Sequence, residues 1–184
     1  ARIVRLSFVE GTVTVLRPAS DWANAPVNTP IQEGFQLSTD RNSFAEVQFE
    51  NGSTARVGEL ALLKFDQLGL TESGDPLNRM VLDHGYGTFH VTADNASGMF
   101  EVQSGDATFK VQGKCEFRVD AERGQVRLEV LKGSVGVSSP AITTTIAKDA
   151  VLELTPGSET AYNVRQGIQR DDWDDWVAER DQQE

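Results

Sequence analysis

Cysteine occurs once in these 184 residues and histidine twice. A single thiol excludes an intrachain disulfide framework and any zinc site built on several thiolates. Long apolar runs are also missing: none approaches the roughly 18 residues of a membrane-spanning helix. Basic charge is scarce, with 17 Lys and Arg against 28 Asp and Glu, for a net charge of -11. Such a chain repels phosphate backbones and anionic lipid surfaces, so nucleic acid is not an expected partner. No basic-then-apolar leader and no initiator Met precede Ala1. The strand pattern begins at Arg2, and we expect a secreted or periplasmic mature chain left by signal-peptide removal.

Recognisable chemistry is sparse as well. No G-x-S-x-G elbow is present, and the acids at Asp66, Glu72, Asp75 and Asp171 to Asp175 match no known calcium loop. His84 and His90 flank Gly85-Tyr86-Gly87-Thr88-Phe89, six residues apart, so an unbroken strand points both to one side. As metal ligands they need a third partner, Asp83 or Asp94, at a spacing that matches no recognised site. The expectation is a non-enzymatic protein without cofactor or metal. Asn51-Gly52-Ser53 and Asn95-Ala96-Ser97 match the glycosylation sequon, but Asn51-Gly52 is better read as a turn.

What the sequence has is alternation. From residue 2 to about residue 155, apolar and polar residues alternate with period two between breaks of Gly, Asn, Asp and Ser. Val4, Leu6 and Phe8 are placed on one face, and Val13 and Val15 resume it after a hairpin at Glu10-Gly11. Ala45, Val47 and Phe49 run into Asn51-Gly52, expected to supply positive φ angles, and Ala55 and Val57 return. Phe89 and Val91, Phe100 and Val102, Ala107 to Val111, and Val126 to Val130 supply further inner faces. Cys115 alternates with Phe117 and Val119, which predicts a buried, unpaired thiol. About fourteen short strands with one polar face each indicate an all-β fold, an antiparallel β-sandwich, jelly-roll-like or β-helix-like.

Two stretches depart from this pattern. Pro18, Pro26 and Pro30 make residues 17 to 34 a loop, with Trp22 expected to pin it. Residues 171 to 184 carry seven acids against one base. There Asp171 or Asp172 can cap a short amphipathic helix with Trp173, Trp176, Val177 and Arg180 on one face. The expected division is a β domain over residues 1–168 and an acidic helix over 169–184.

The segment Pro30-Ile31-Gln32-Glu33-Gly34-Phe35-Gln36-Leu37-Ser38-Thr39, then Ser43-Phe44-Ala45-Glu46-Val47-Gln48-Phe49 and Asn51-Gly52-Ser53, resembles the core of FecR-type domains. Leu82 with Gly85, Gly113 to Val119, and Gly133-Ser134-Val135-Gly136-Val137 extend the likeness over roughly residues 8 to 155. The resemblance implies a β-rich exported fold with no catalytic residue to carry over. The best-known relatives place an anti-sigma segment and a spanning helix before this domain, and this sequence contains neither. The Gly113 to Val119 stretch is one residue longer than the usual pattern, which a bulge absorbs.

Function is then expected in protein contacts. One reading is a self-assembling extracellular subunit, joined through the Val4, Leu6, Phe8 strand and the Trp173, Trp176, Val177 helix face. The alternative is a periplasmic sensor or scaffold module of envelope signalling. The partner is accordingly another copy of the chain or another envelope protein.

Overall fold

The computed structural model describes residues 2–92, 98–111, 113–157 and 162–183. Asp94, the second sequon and both terminal residues lie outside the described residues. Strands β1 (Arg5–Glu10), β2 (Val13–Leu16), β3 (Trp22–Asn24), β4 (Gln36–Thr39), β5 (Phe44–Gln48), β6 (Thr54–Val57) and β7 (Leu62–Leu70) lead into the long β8 (Pro76–Val91). They are followed by β9 (Met99–Ser104), β10 (Ala107–Val111), β11 (Cys115–Glu122), β12 (Gln125–Lys132), β13 (Ser134–Ser138), β14 (Thr143–Ala147), β15 (Ala150–Leu154) and β16 (Tyr162–Gln166). Helix α1 (Asp172–Gln182) comes last.

The long strand β8 organises everything else. Its first part pairs with β7 and, in parallel, with β9; its last part pairs with β6 and β11. Gly85 sits at the change of partners with φ +94°, and a Cβ there would lie 2.5 Å from Ala61 Cα. Only glycine accommodates that bend. Two half-sheets result. One runs β1-β5-β6-β8-β11-β12-β15-β16, and the other β3-β2-β4-β7-β8-β9-β10-β13-β14. The fold is all-β, and among the described residues the strands pair antiparallel except for the parallel β8–β9 pair.

Their inward residues form one apolar core. Leu6, Val47, Phe89 and Phe117 enter it from the first half-sheet; Leu37, Phe65, Phe100 and Phe109 enter from the second. Phe100 meets Phe49 and Phe89 edge-on at 5.6 and 6.5 Å, which joins the halves. Each fully buried side chain of this size contributes about 1.5–3 kcal/mol. Cys115 lies in the core with Phe117 and Val119, as alternation predicts, and burial pushes its thiol up to about 12.

Several local readings are corrected. Glu10-Gly11 is a corner rather than a hairpin, because β1 pairs with β5 while β2 pairs with β3 and β4 in the other half-sheet. Asn51-Gly52 does turn a hairpin between β5 and β6, but only Gly52 has positive φ. The Asn51 side chain caps that turn by accepting from Ser53 N at 2.9 Å. Residues 17 to 34 include the edge strand β3, where Trp22 pairs with Leu16 and is 45% exposed rather than buried. The bulge expected in the Gly113 to Val119 stretch is not on that strand: β11 pairs with β8 in unbroken register, and the ladder slips on the other side, where Glu116 pairs with Lys132 and Phe117 with Val130, leaving Leu131 as the bulge on β12.

A second bulge matters more. Leu6 pairs with Val47 but Phe8 pairs with Glu46, so the chain slips at Ser7. Leu6 and Phe8 therefore leave the sheet on opposite faces, contrary to the alternation reading. Val4 and Leu6 are core residues, while Phe8 turns outward toward α1.

Candidate functional site

The outward face of the first half-sheet is polar in sequence yet buried. Reading across the ladders, Glu46 on β5 neighbours Arg56 on β6, then Thr88 on β8, Arg118 on β11 and Glu129 on β12. All five are buried. A second row sets Thr54 beside His90, then Glu116, then Lys132. Buried charges at this density need partners. Neighbouring strands supply some of them, and helix α1 supplies the rest of those described.

The helix forms here for local reasons. Asp171 caps it, accepting from Asp174 N at 3.1 Å, while Asp174 Oδ2 accepts from Asp171 N at 3.0 Å. Acids occupy the first turn and Arg180 the last, which suits the helix dipole. Its inner face then meets the sheet in two ways. Trp173 stacks on Trp176 at 5.0 Å and meets the Tyr86 edge at 5.2 Å; Phe44 touches both indoles, and Phe8 lies 5.5 Å from Trp176. The Trp173 indole N–H donates to Thr88 Oγ1 at 3.0 Å.

The second mode is ionic. Arg56, fully buried, donates to Glu46 at 2.7 Å and to Asp181 of the helix. Arg180 reaches back to Glu46 at 3.1 and 3.2 Å. Arg118 donates to both oxygens of Asp171 at 2.8 and 2.9 Å and to Asp120 at 2.7 and 3.0 Å. Two of these arginines also lie 5.0 Å over aromatic rings, Arg118 on Tyr86 and Arg180 on Phe8. The acidic segment is thus held by two sheet arginines, one near each end of the helix.

The six residues expected to face another chain accordingly meet their own. Val4, Leu6, Trp173 and Val177 are buried, and Phe8 and Trp176 cover one another. Folding back of both chain ends, rather than docking of a second copy, covers these apolar side chains. Sequence reasoning missed the charged residues beneath the helix. The available signal was charge complementarity between the acidic segment and the isolated outward arginines Arg56 and Arg118.

The histidines also separate. His84 is exposed beside Asp83, whereas His90 lies half-buried against the helix. His90 Nδ1 is 3.3 Å from Asp181 Oδ1 and 3.6 Å from Glu116 Oε2. Burial, and then the neighbouring Asp181, push the Glu116 carboxyl up to about 7. On Glu46, burial raises the carboxyl but is outweighed by hydrogen bonds from Arg180, Ser7 and Arg56, which bring it down to about 2. On Asp171 burial is likewise outweighed by Arg118, and its carboxyl lies below the usual range.

Those shifts fix an acid response. A carboxyl depressed in the fold contributes stability above its unfolded value of 4.5 and loses it as pH falls toward 2. For the fully buried Glu46 this corresponds to about 3 kcal/mol. Glu116 is largely protonated in folded and unfolded chains below 4.5, so it does not offset the loss. The expected result is a red shift of Trp fluorescence between pH 4.5 and 2 as α1 releases. Glu46→Gln should flatten that transition.

Comparison with known proteins places this architecture. Two crystal structures of a candidate anti-sigma factor from Parabacteroides distasonis superpose with a TM-score of 0.59 at 17% identity. The alignment covers 72% of this chain and 59% of the other, so this chain spans under two thirds of that protein, and the likeness is one of fold. No curated protein matches the sequence. The family model described as FecR protein matches residues 35–136, from the entry to β4 into β13. That match takes in Glu46, Arg56, His90, Glu116 and Arg118, leaves α1 and β16 outside, and spans more than half of the sequence: the chain belongs to the FecR family.

Proposed function

We propose that this protein is a non-enzymatic, exported protein-binding module of bacterial envelope signalling, and that it receives its partner along β16. FecR membership and the fold shared with a candidate anti-sigma factor support the signalling role. The observation that carries the binding mode is the strand itself. All five residues of β16 are exposed, with Tyr162 at 47% and Val164 at 43%, and among the described residues no strand pairs with its outer edge. An open edge with accessible apolar side chains is a template for an added strand from another protein. The reading as a self-assembling subunit loses its supporting surfaces, because its candidate residues are spent within the chain.

The test is complementation of a gene deletion in the host. Deletion should alter sigma-factor-dependent transcripts, and wild type should restore them. A Tyr162→Lys/Val164→Lys variant, which blunts the edge with charge, should fail to restore them while melting like wild type. An unchanged transcript profile on deletion would remove the signalling reading. Full restoration by the double variant would move the contact away from β16.

A further inference from the structure

We propose that His90, Glu116 and Asp181 form a zinc site that clamps α1 to the sheet. This goes beyond the signalling role and does not depend on it. The three ligand atoms come from β8, β11 and α1 and lie within 4.8 Å of one another. Zinc bonds nitrogen and carboxylate oxygen at about 2.0–2.2 Å, so tetrahedral ligands stand roughly 3.3–3.6 Å apart. The observed separations from His90 Nδ1 are 3.3 Å to Asp181 and 3.6 Å to Glu116. The third edge, between Glu116 and Asp181, lies within 4.8 Å.

A second, independent observation points to a ligand. Glu116 is 5% exposed, and its Oε2, 3.6 Å from His90 Nδ1, has no hydrogen-bond donor among the described residues. A buried carboxylate oxygen without a donor is costly. Two carboxylates facing one another need something positive between them, a proton or a cation. One imidazole and two carboxylates make a donor set suited to zinc; calcium and magnesium take more oxygens and no nitrogen. Arg56 donates to the same Asp181 Oδ1 that approaches His90 and orients that carboxylate, as outer partners of metal-bound carboxylates do.

Access and a fourth ligand are provided for. The three residues line a cleft of about 790 Å³, with Leu131, Lys148 and Ile168 on its other walls. Water in that cleft can complete the coordination. The bulge at Leu131 lies next to Glu116 in the ladder. Binding uses the Nδ1 lone pair of His90 and leaves its proton on Nε2.

Calorimetric titration of the full chain with zinc chloride at neutral pH tests this. One ion per chain should bind, with a rise in melting temperature and slower hydrogen exchange of the α1 amides. His90→Gln should weaken binding by more than about tenfold and abolish both effects, and Glu116→Gln should do the same. His84→Gln should change nothing, since that imidazole stands apart on the surface. A cooperative melt of each variant separates lost binding from lost folding. Three results overturn the site: no binding by wild type, binding that survives His90→Gln, or binding lost with His84→Gln. If wild type binds no zinc and Glu116→Gln raises its melting temperature, a proton shared by the two carboxylates fills the gap instead.

Discussion

Trp173→Ala is expected to lower folding stability by about 3–5 kcal/mol, as large aromatic truncations in packed sites do. The indole is 6% exposed and is bounded by Trp176, Tyr86 and Phe44. Removing it opens a cavity where the helix meets the sheet and leaves Thr88 Oγ1, fully buried, without its indole donor. Urea unfolding should show a lower midpoint with an unchanged slope. Trp173→Phe keeps most of the packing and loses the donor, so it should cost about 1 kcal/mol. A loss under about 1 kcal/mol for Trp173→Ala would mean that α1 is not docked in solution.

The strands were legible because sheet side chains alternate with a fixed period, and Phe89, Phe100, Phe109 and Phe117 all obey it. What alternation does not report is the cover over the polar face. Glu46, Arg56, Thr88 and Arg118 occupy positions that read as wet, and only the helix packed over them makes them dry. Bulges defeat the pattern in a different way. One slipped residue at Ser7 reverses the face of Phe8, and no sequence signal marks it. Local spacing offers His90 only Asp83 and Asp94 as partners. Its partners are instead its cross-strand neighbour Glu116 and Asp181, 91 residues away, because pairing order is not encoded in local spacing. The helix itself was legible from its capping acid and its indole stripe. The sequence left its docking partner open, and backbone topology supplies it.

Arg56→Ala is expected to cost as much as the indole truncation, about 3–5 kcal/mol, although it removes a charge from the interior. The reason is what remains. Arg56 and Glu46 side chains are both fully buried, and Asp181 is largely covered, so the substitution strands two carboxylates with one fewer cation between them. Arg180 still reaches Glu46, but it is itself part of α1, and α1 loses its Asp181 anchor in the same variant. Sheet and helix are therefore weakened together, and hydrogen exchange should show α1 opening well below the global unfolding energy. If stranded charge is the cause, Arg56→Met combined with Glu46→Gln and Asp181→Asn should recover much of the loss, since both buried carboxylates are gone and Arg180, the charge left from the set, is partly exposed. A triple variant no more stable than Arg56→Ala would instead assign the loss to packing of the arginine stem and to direct attraction across the helix interface. In either case the magnitude decides whether α1 is an integral layer of the fold. A cost near zero would make it a loosely held appendage that a partner displaces easily.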